Sequence, residues 1–210
     1  MEGDGSPISC SDDLAVLARV RAGDRDAYAE LVRRYAPVAL RTAALLGAGP
    51  DAEDVVQEAF VKAYSALGRF REGAAFRPWL LQIVTNETRN LHRSSGRRAA
   101  REKSAWERTE PLLRMAEEED PAAAVLSGER RTQLVRGLSR LSEVHRQVVV
   151  CRYLLDLDEA DTATVLALPR GTVKSRLHRA LRELSSELAR LDSVSGSGHE
   201  AGKREVGRGT

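Results

Sequence analysis

The chain has 210 residues, of which 42% are hydrophobic, 30% charged and only 4% aromatic. With 33 basic and 31 acidic residues the formal net charge is only +2, which excludes attraction to nucleic acid or anionic lipid by overall charge alone. Two distant cysteines, no apolar run of membrane-spanning length and no signal-peptide layout predict a reduced, cytoplasmic protein without membrane insertion.

Helix formers dominate the chain, because Ala, Leu, Arg and Glu recur in nearly every segment and strand-like alternation is missing. The sequence therefore predicts an all-α fold. Two helical blocks, 12–98 and 128–191, flank a segment, 99–127, that begins basic, turns acidic and contains Pro111 and Pro121. We interpret it as a flexible linker between two small helical domains. The polar, Gly-containing ends, 1–11 and 192–210, are predicted to be disordered.

The first block contains a helix predicted to begin at Asp51, its N-cap, and to run towards Gly68. Apolar residues at three- and four-residue spacing predict a buried stripe of Val55, Val56, Ala59, Phe60, Ala63, Tyr64 and Leu67. The opposite face carries Asp54, Gln57, Glu58 and Val61. The pattern alone leaves two interpretations open, a solvated acidic face and a surface for a basic partner.

A second helix of this block is predicted from about Phe76 to Arg93, since Pro78 falls in its first turn, where proline is tolerated. Trp79 shares helical spacing with Leu80 and Ile83. A tryptophan in such a pattern is more often part of the core than a stacking surface, so we expect Trp79 in the core.

The second block predicts a helix-turn-helix. Ser142 is positioned to cap a helix with the stripe Val144, Val148, Cys151 and Leu155, and Asp158 to cap a short helix ending near Leu166. A tight connection at 167–169 precedes another helix from Arg170, with the core stripe Val173, Leu177, Ala180, Leu181, Leu184 and Leu188. Its early turns present Lys174, Ser175, His178 and Arg179, which fit the major groove of DNA better than a merely solvated basic face.

The second block resembles the C-terminal DNA-binding domain of extracytoplasmic-function sigma factors, of the sigma-70 family. The resemblance rests on residues 141–153, LSEVHRQVVVCRY, and on 168–177, LPRGTVKSRL, with GTVKSR its most specific part. It implies that Lys174, Ser175, His178 and Arg179 read the minus-thirty-five promoter element as duplex, and that Arg152, Thr172 and Arg176 hold phosphates. Relatives often carry glycine at the position of Ala167 and a large apolar residue at that of Thr162.

The first block resembles the same family independently. Residues 51–64, DAEDVVQEAFVKAY, look like the helix that docks on the clamp of the largest subunits of core RNA polymerase. The resemblance implies that Asp54, Gln57, Glu58 and Val61 contact that partner. Charge would then orient the complex more than it strengthens it.

The segment 76–86, FRPWLLQIVTN, with Asn90 and Arg93, resembles the promoter-melting region of the family. Opening DNA without ATP requires better contacts to the opened strand, through stacking, a pocket for an extruded base and basic side chains. The resemblance assigns minus-ten strand contact to Phe70, Trp79, Asn86, Asn90 and Arg93. Phe70 lies in a loop between Gly68 and Gly73, so we expect its ring to be available to a base.

The joint resemblance predicts a non-enzymatic RNA polymerase sigma factor with core polymerase and promoter DNA as partners. It also implies an anti-sigma partner, and a linker that threads the RNA exit path or serves as a simple tether. We find no catalytic arrangement and expect neither metal nor cofactor. The alternative is a stand-alone helix-turn-helix regulator that binds DNA without polymerase. An adaptor without DNA function would leave the basic helix unexplained.

Overall fold

The fold is described from a computed structural model, in which residues 10–71, 73–94 and 128–200 are described. Within these ranges the chain forms eight α-helices and no strand, which confirms the all-α prediction. The predicted linker, 99–127, lies outside the described residues, as do residues 1–9 and 201–210 of the predicted disordered ends.

The first block is a four-helix arrangement around one apolar core. Its helices are α1 (Cys10–Arg21), α2 (Arg25–Leu45), α3 (Ala52–Ala66) and α4 (Phe76–Ser94), with short 3-10 turns at Gly49–Asp51 and Leu67–Arg69. The side chains at its centre are at most 2% exposed, namely Leu17, Leu31, Tyr35, Ala59, Phe76 and Leu80. The observed bounds of α4, Phe76–Ser94, lie close to the predicted ones, about Phe76 to Arg93.

A buried carboxylate ties α1 to α2. Asp13 is 4% exposed, and its side chain accepts hydrogen bonds from Arg34, at 2.8 Å, and from the hydroxyl of Tyr35. Burial and this contact raise the pKa of Tyr35. A buried charge is tolerated only when it is paired and hydrogen-bonded, and Arg34 meets that requirement here.

Helix α3 differs from its prediction in two details. Tyr64 is 45% exposed, although the rest of the predicted stripe is buried. Asp51 occupies the N-cap position, but its side chain makes no capping hydrogen bond. The 3-10 turn accounts for the second difference, because it leaves Asp51 at φ −90° and ψ 9°, outside the extended conformation that a capping residue usually adopts.

The second block is built around the helix-turn-helix. Its helices are α5 (Gly128–Arg140), α6 (Glu143–Val149), which continues as a π-helical turn over Val150–Leu154, α7 (Glu159–Leu166) and α8 (Arg170–Glu200). Both predicted caps are confirmed: Ser142 accepts from the amide of His145, and Asp158 accepts from the amide of Asp161 at 2.7 Å. Helices α5 and α8 approach closely at Gly137, where an added Cβ would lie 3.0 Å from Leu184.

Three predictions for this block need correction. Val144 and Leu181, both assigned to buried stripes, are 43% and 37% exposed. The sequence also predicted disorder from residue 192 on, whereas α8 continues to Glu200. Adding residues to an existing helix costs little compared with starting one, so a long helix extends beyond its packed part.

The two blocks touch, which the sequence did not predict. Leu45 and Leu46, at the end of α2, and Leu81, on α4, are at most 1% exposed and belong to the apolar cluster of the second block. Two hydrogen bonds also cross between the blocks, each of 2.8 Å: Arg77 Nη2 to the carbonyl of Leu155, and Arg89 Nη2 to Oε1 of Gln147. We call this surface the inter-block contact.

Candidate partner and nucleic-acid interfaces

The outer face of α3 presents the acidic and amide groups predicted from the sequence. Asp54, Gln57 and Glu58 are exposed, and the side chain of Val61 is 56% exposed. Asp54 makes no ion pair within the described part of the chain, whereas Glu58 Oε1 lies 3.2 Å from Lys62 Nζ. The negative charge of Asp54 is therefore more available to a partner than that of Glu58, which Lys62 partly neutralises.

An apolar groove of about 670 Å³ runs beside this face, between α2 and α3. Helix α2 contributes Tyr28, Val32, Ala36 and Leu40, and α3 contributes Val56, Gln57, Phe60, Val61 and Tyr64 among others. Tyr28 and Tyr64 pack edge to face with ring centroids 4.8 Å apart, and burial raises the pKa of Tyr28. Sequence reasoning missed this groove. The four α2 residues recur at intervals of four, and that spacing was the available signal.

Helix α4 brings together three of the residues predicted to contact the minus-ten strand. Asn86, Asn90 and Arg93 are exposed and follow one another at four- and three-residue spacing, so they share one face. Their local bonds are weak: Asn86 accepts from Arg89 at 3.3 Å, and Asn90 donates to Glu87 at 3.4 Å. Their polar atoms can therefore exchange these bonds for contacts with a nucleic acid.

The expectation that Phe70 is available to a base is wrong for this structure. Its side chain is 5% exposed and packs on Phe76 and Trp79, with ring centroids 6.0 Å and 4.9 Å away. The guanidinium of Arg21 donates to the Phe70 carbonyl and holds the loop in place. The flanking glycines suggested exposure, but the aromatic pair at the start of α4 offers a better environment for an apolar ring.

Trp79 is half-buried and packs against the core through the same aromatic cluster. A small pocket of about 240 Å³ opens beside this cluster, lined by Phe70, Gly73 and Arg21 together with α1. The minus-ten set therefore divides into an exposed polar face on α4 and an aromatic cluster at the start of the same helix.

The helix-turn-helix presents its predicted readers on one side of α8. Lys174, Ser175, His178 and Arg179 are all exposed. The turn before α8 contains Ala167 in a left-handed conformation, with φ of 54°, which costs a non-glycine residue about 1 kcal/mol. The structure therefore forms the turn without the glycine that relatives often carry there.

The predicted phosphate contacts lie at the margin of this surface. Thr172 and Arg176 are half-buried on α8. Arg152, on the π-helical turn, is also half-buried and donates to the carbonyl of Leu157, so part of its hydrogen-bonding capacity is used inside the chain. Arg152 braces the loop before α7 in addition to any contact with a phosphate.

Arg89, on the same helix as the minus-ten residues, contributes to the inter-block contact. Its guanidinium is 2.8 Å from Gln147, and burial lowers its pKa. Within residues 10–71, 73–94 and 128–200 no group of three His, Cys, Asp or Glu side chains is placed to bind a metal ion. Nor does any helix in these ranges have the length and apolar character to cross a membrane.

Comparison with known proteins matches both blocks. Residues 31–98 match the family described as Sigma-70 region 2, and residues 131–184 match Sigma-70, region 4. The ECF RNA polymerase sigma-E factor of Escherichia coli K12 is 33% identical over 182 residues, covering 85% of this chain and 95% of that protein. The RNA polymerase sigma-H factor of Pseudomonas aeruginosa is 33% identical over 191 residues, covering 88% and 97%.

Two solved structures are similar to the chain. CnrH, in complex with the cytosolic domain of CnrY, is 32% identical with a TM-score of 0.60 and covers 86% of this chain and 97% of its own. The sigma factor RpoE, in complex with the anti-sigma factor NepR from Bartonella quintana, has a TM-score of 0.57 and covers 77% and 96%. At 21% identity, that second likeness concerns the fold alone.

Proposed function

The chain belongs to the extracytoplasmic-function branch of the sigma-70 family and is an RNA polymerase sigma factor, and from this we propose how its surfaces divide the work of initiation. In this proposal, residues 12–98 bind core polymerase and the opened minus-ten strand. Residues 128–191 bind the minus-thirty-five duplex, and 99–127 link the two. The factor supplies binding energy, while polymerase performs the covalent chemistry in the cytoplasm.

The polymerase surface consists of the acidic face of α3 and the groove beside it. Asp54, Gln57 and Glu58 attract and orient a basic helix of the polymerase clamp. The groove then receives apolar side chains of that helix, next to the exposed Val61. A charged rim beside an apolar centre is the usual anatomy of a specific protein interface, and this combination supports the assignment.

The minus-ten surface is the outer face of α4. Asn86 and Asn90 offer donors and acceptors to the edge of an unpaired base, and Arg93 offers a cation to the strand backbone. Phe70 and Trp79 lie in the aromatic cluster at the start of the same helix, and Phe70 reaches a base only if the small pocket beside it widens. Trapping bases outside the stack offsets the cost of unpairing the duplex.

The minus-thirty-five surface is the early part of α8. Lys174 and Arg179 can form bidentate hydrogen bonds with guanine edges in the major groove, and Ser175 and His178 add polar contacts. Arg152, Thr172 and Arg176 hold the flanking phosphates. Phosphate contacts fix the register of a helix in the groove, while base contacts select the sequence.

One observation carries this proposal: an acidic face beside an apolar groove, an exposed polar face and an exposed basic face occur on three different helices of one chain. A stand-alone regulator would need only the helix-turn-helix and leaves the face of α3 unexplained. Because the CnrH structure, at 32% identity, is a complex with the cytosolic domain of a second protein and the family resemblance implies an anti-sigma partner, we also propose that an anti-sigma protein controls this chain.

Charge reversal on α3 tests the polymerase surface. Asp54→Arg should weaken association with core polymerase at least tenfold, since it turns attraction to a basic helix into repulsion. Asp12→Arg is the matched control, because Asp12 is also an exposed acidic residue in the first turn of a helix, α1. Equal retention of both variants on immobilised core polymerase would reject the α3 assignment. Run-off transcription over a randomised promoter library tests the function as a whole, and it fails if no defined start site appears.

A further inference from the structure

Helix α4 carries one acidic side chain among the residues proposed to bind an anionic strand. Glu87 is the only Asp or Glu of this helix, and it lies between Asn86 and Asn90 in the sequence. An unpaired carboxylate at this place would repel the phosphates of the strand. The presence of Glu87 beside the minus-ten surface therefore requires a physical explanation.

A lysine from the neighbouring helix neutralises this carboxylate. Lys62 Nζ lies 2.5 Å from Glu87 Oε2, and Lys62 belongs to α3, which packs against α4. The side chain of Glu87 is only 13% exposed, whereas that of Lys62 is 44% exposed. The hydrogen bond to Glu87, followed by the one to Glu58, raises the pKa of Lys62. The ammonium is therefore charged at neutral pH and balances the carboxylate.

The second oxygen of Glu87 selects the orientation of the Asn90 amide. Glu87 Oε1 accepts a hydrogen bond from Nδ2 of Asn90 at 3.4 Å. An ionised carboxylate can only accept, and the reverse orientation of the amide would bring two oxygens together. Although the bond is long, attraction of the nitrogen and repulsion of the oxygen favour the same orientation. The carbonyl oxygen Oδ1 of Asn90, which is an exposed residue, is then the atom available to a base.

An amide that presents its oxygen accepts hydrogen bonds and donates none. Adenine, cytosine and guanine each carry an amino group that can donate to this oxygen, whereas thymine carries none. Thymine offers only a ring N–H between two carbonyl oxygens, and these would repel the oxygen of the amide. A base that meets Asn90 should therefore be selected for its amino group.

We propose that Lys62 and Glu87 are positioning residues for minus-ten recognition: Lys62 holds and neutralises Glu87, and Glu87 turns the oxygen of Asn90 towards the strand, so that the base at this position is one with an amino group rather than thymine. This inference rests on the proposed function, because it concerns the strand-binding surface of α4. Neither Lys62 nor Glu87 needs to contact the strand itself.

Base preference in the assembled holoenzyme tests the orientation of Asn90. The chain is combined with saturating core polymerase and with promoters that carry each of the four bases at each minus-ten position, and the rate of open-complex formation is measured. At one position the wild type should disfavour thymine by about three- to tenfold, which corresponds to one hydrogen bond. Asn90→Ala should abolish this preference and so identifies the position. Glu87→Gln should reduce it to less than about twofold, because a glutamine amide donates as well as accepts and selects neither orientation.

Glu30→Gln is the matched control for Glu87→Gln. Glu30 is also a half-buried carboxylate of the first block and pairs with a cation, Arg34, at 2.9 Å, but it lies on α2 outside the proposed surfaces. The base preference of this variant should be unchanged. The double variant Glu87→Gln with Asn90→Ala should match Asn90→Ala alone, since Glu87 acts on the base only through Asn90.

Variants of Lys62 test the charge. Lys62→Met leaves Glu87 unpaired and should slow open-complex formation by about threefold or more on every sequence at low salt, with a smaller loss as salt is added. Saturating core polymerase is needed here, because Lys62 also lies 3.2 Å from Glu58 of the polymerase surface. Lys62→Arg keeps a cation and should behave as the wild type does. Lys62→Met combined with Glu87→Gln should recover the rate, since no unpaired carboxylate remains, whereas a purely structural role of Lys62 predicts no recovery.

Two results would overturn the positioning role: undiminished discrimination against thymine in Glu87→Gln at the position that Asn90→Ala identifies, or a Lys62→Met chain without a salt-dependent loss. Wild-type preference at every position in Asn90→Ala is a different failure, because it would remove the proposed minus-ten surface itself and this inference with it.

Discussion

Thr162 offers a direct test of how the helix-turn-helix is packed. It lies on α7 with 0% exposure, and its hydroxyl Oγ1 has no hydrogen-bond partner among the residues that the structure describes. A buried hydroxyl without a partner loses its bonds to water and gains nothing in exchange. Thr162→Val replaces that hydroxyl by a methyl group of nearly the same size and keeps the β-branched shape.

The magnitude follows from the burial. Leaving a buried polar group unsatisfied costs about 1–3 kcal/mol, and valine and threonine differ little in helix propensity. Thr162→Val should therefore raise the free energy of unfolding by about 1–2 kcal/mol. For a chain of this length the melting temperature should rise by about 2–8 °C.

Thermal unfolding followed by calorimetry, with urea unfolding as a second measure, checks this value. Thr164→Val is the matched control, because Thr164 lies on the same helix but is exposed, with its hydroxyl 3.1 Å from the Ala160 carbonyl. That variant should stay within about 0.5 kcal/mol of the wild type. A Thr162→Val protein no more stable than the wild type would refute the reasoning, since the hydroxyl would then have a partner.

Three further outcomes are expected. Arg179→Ala should reduce the free energy of DNA binding by about 1–3 kcal/mol for sequences that carry its preferred base at one promoter position, as measured by competition binding. An equal loss on every sequence would show that Arg179 contacts a phosphate instead. Gly137→Val should destabilise the second block by about 1–3 kcal/mol in a urea titration, because the added side chain overcrowds the contact between α5 and α8. The control Gly171→Ala adds a methyl group in open space and should leave stability unchanged or raise it. Burial raises the pKa of Cys151 to about 12, so its thiol stays protonated below that pH. In a Cys10→Ser chain, Cys151 should therefore react with maleimide only on unfolding. Rapid labelling of the native chain at pH 8 would contradict this.

Sequence patterns identified most of the helices, because the interactions that start and stabilise a helix join residues a few positions apart. A capping side chain bonds an amide three residues away, so Ser142 and Asp158 could be assigned from the sequence alone. Helical periodicity and a first-turn proline were likewise enough to predict α4, whereas Asn86, Asn90 and Arg93 were assigned only through the family resemblance. The groove between α2 and α3 was predictable in part, since the spacing of its α2 residues is visible in the sequence.

Tertiary structure decided the features that depend on residues distant in the chain. Glycine neighbours suggested an exposed Phe70, but packing against Phe76 and Trp79 buries it. Tyr64 belongs to an apolar stripe by spacing, yet its partner is Tyr28 on α2, at the edge of an open groove. Periodicity states which side of a helix is apolar, and only the assembled neighbours decide how much of that side is covered.

The sequence by itself determined an all-helical chain of the sigma-70 family, because helix formation and the family motifs both depend on residues within one segment. The tertiary structure decided that α4 also contacts the second block, through Arg77 and Arg89, and that three leucines from the first block complete the core of the second. Contacts between distant segments depend on which surfaces meet after the helices form, and no pattern within one helix encodes that choice.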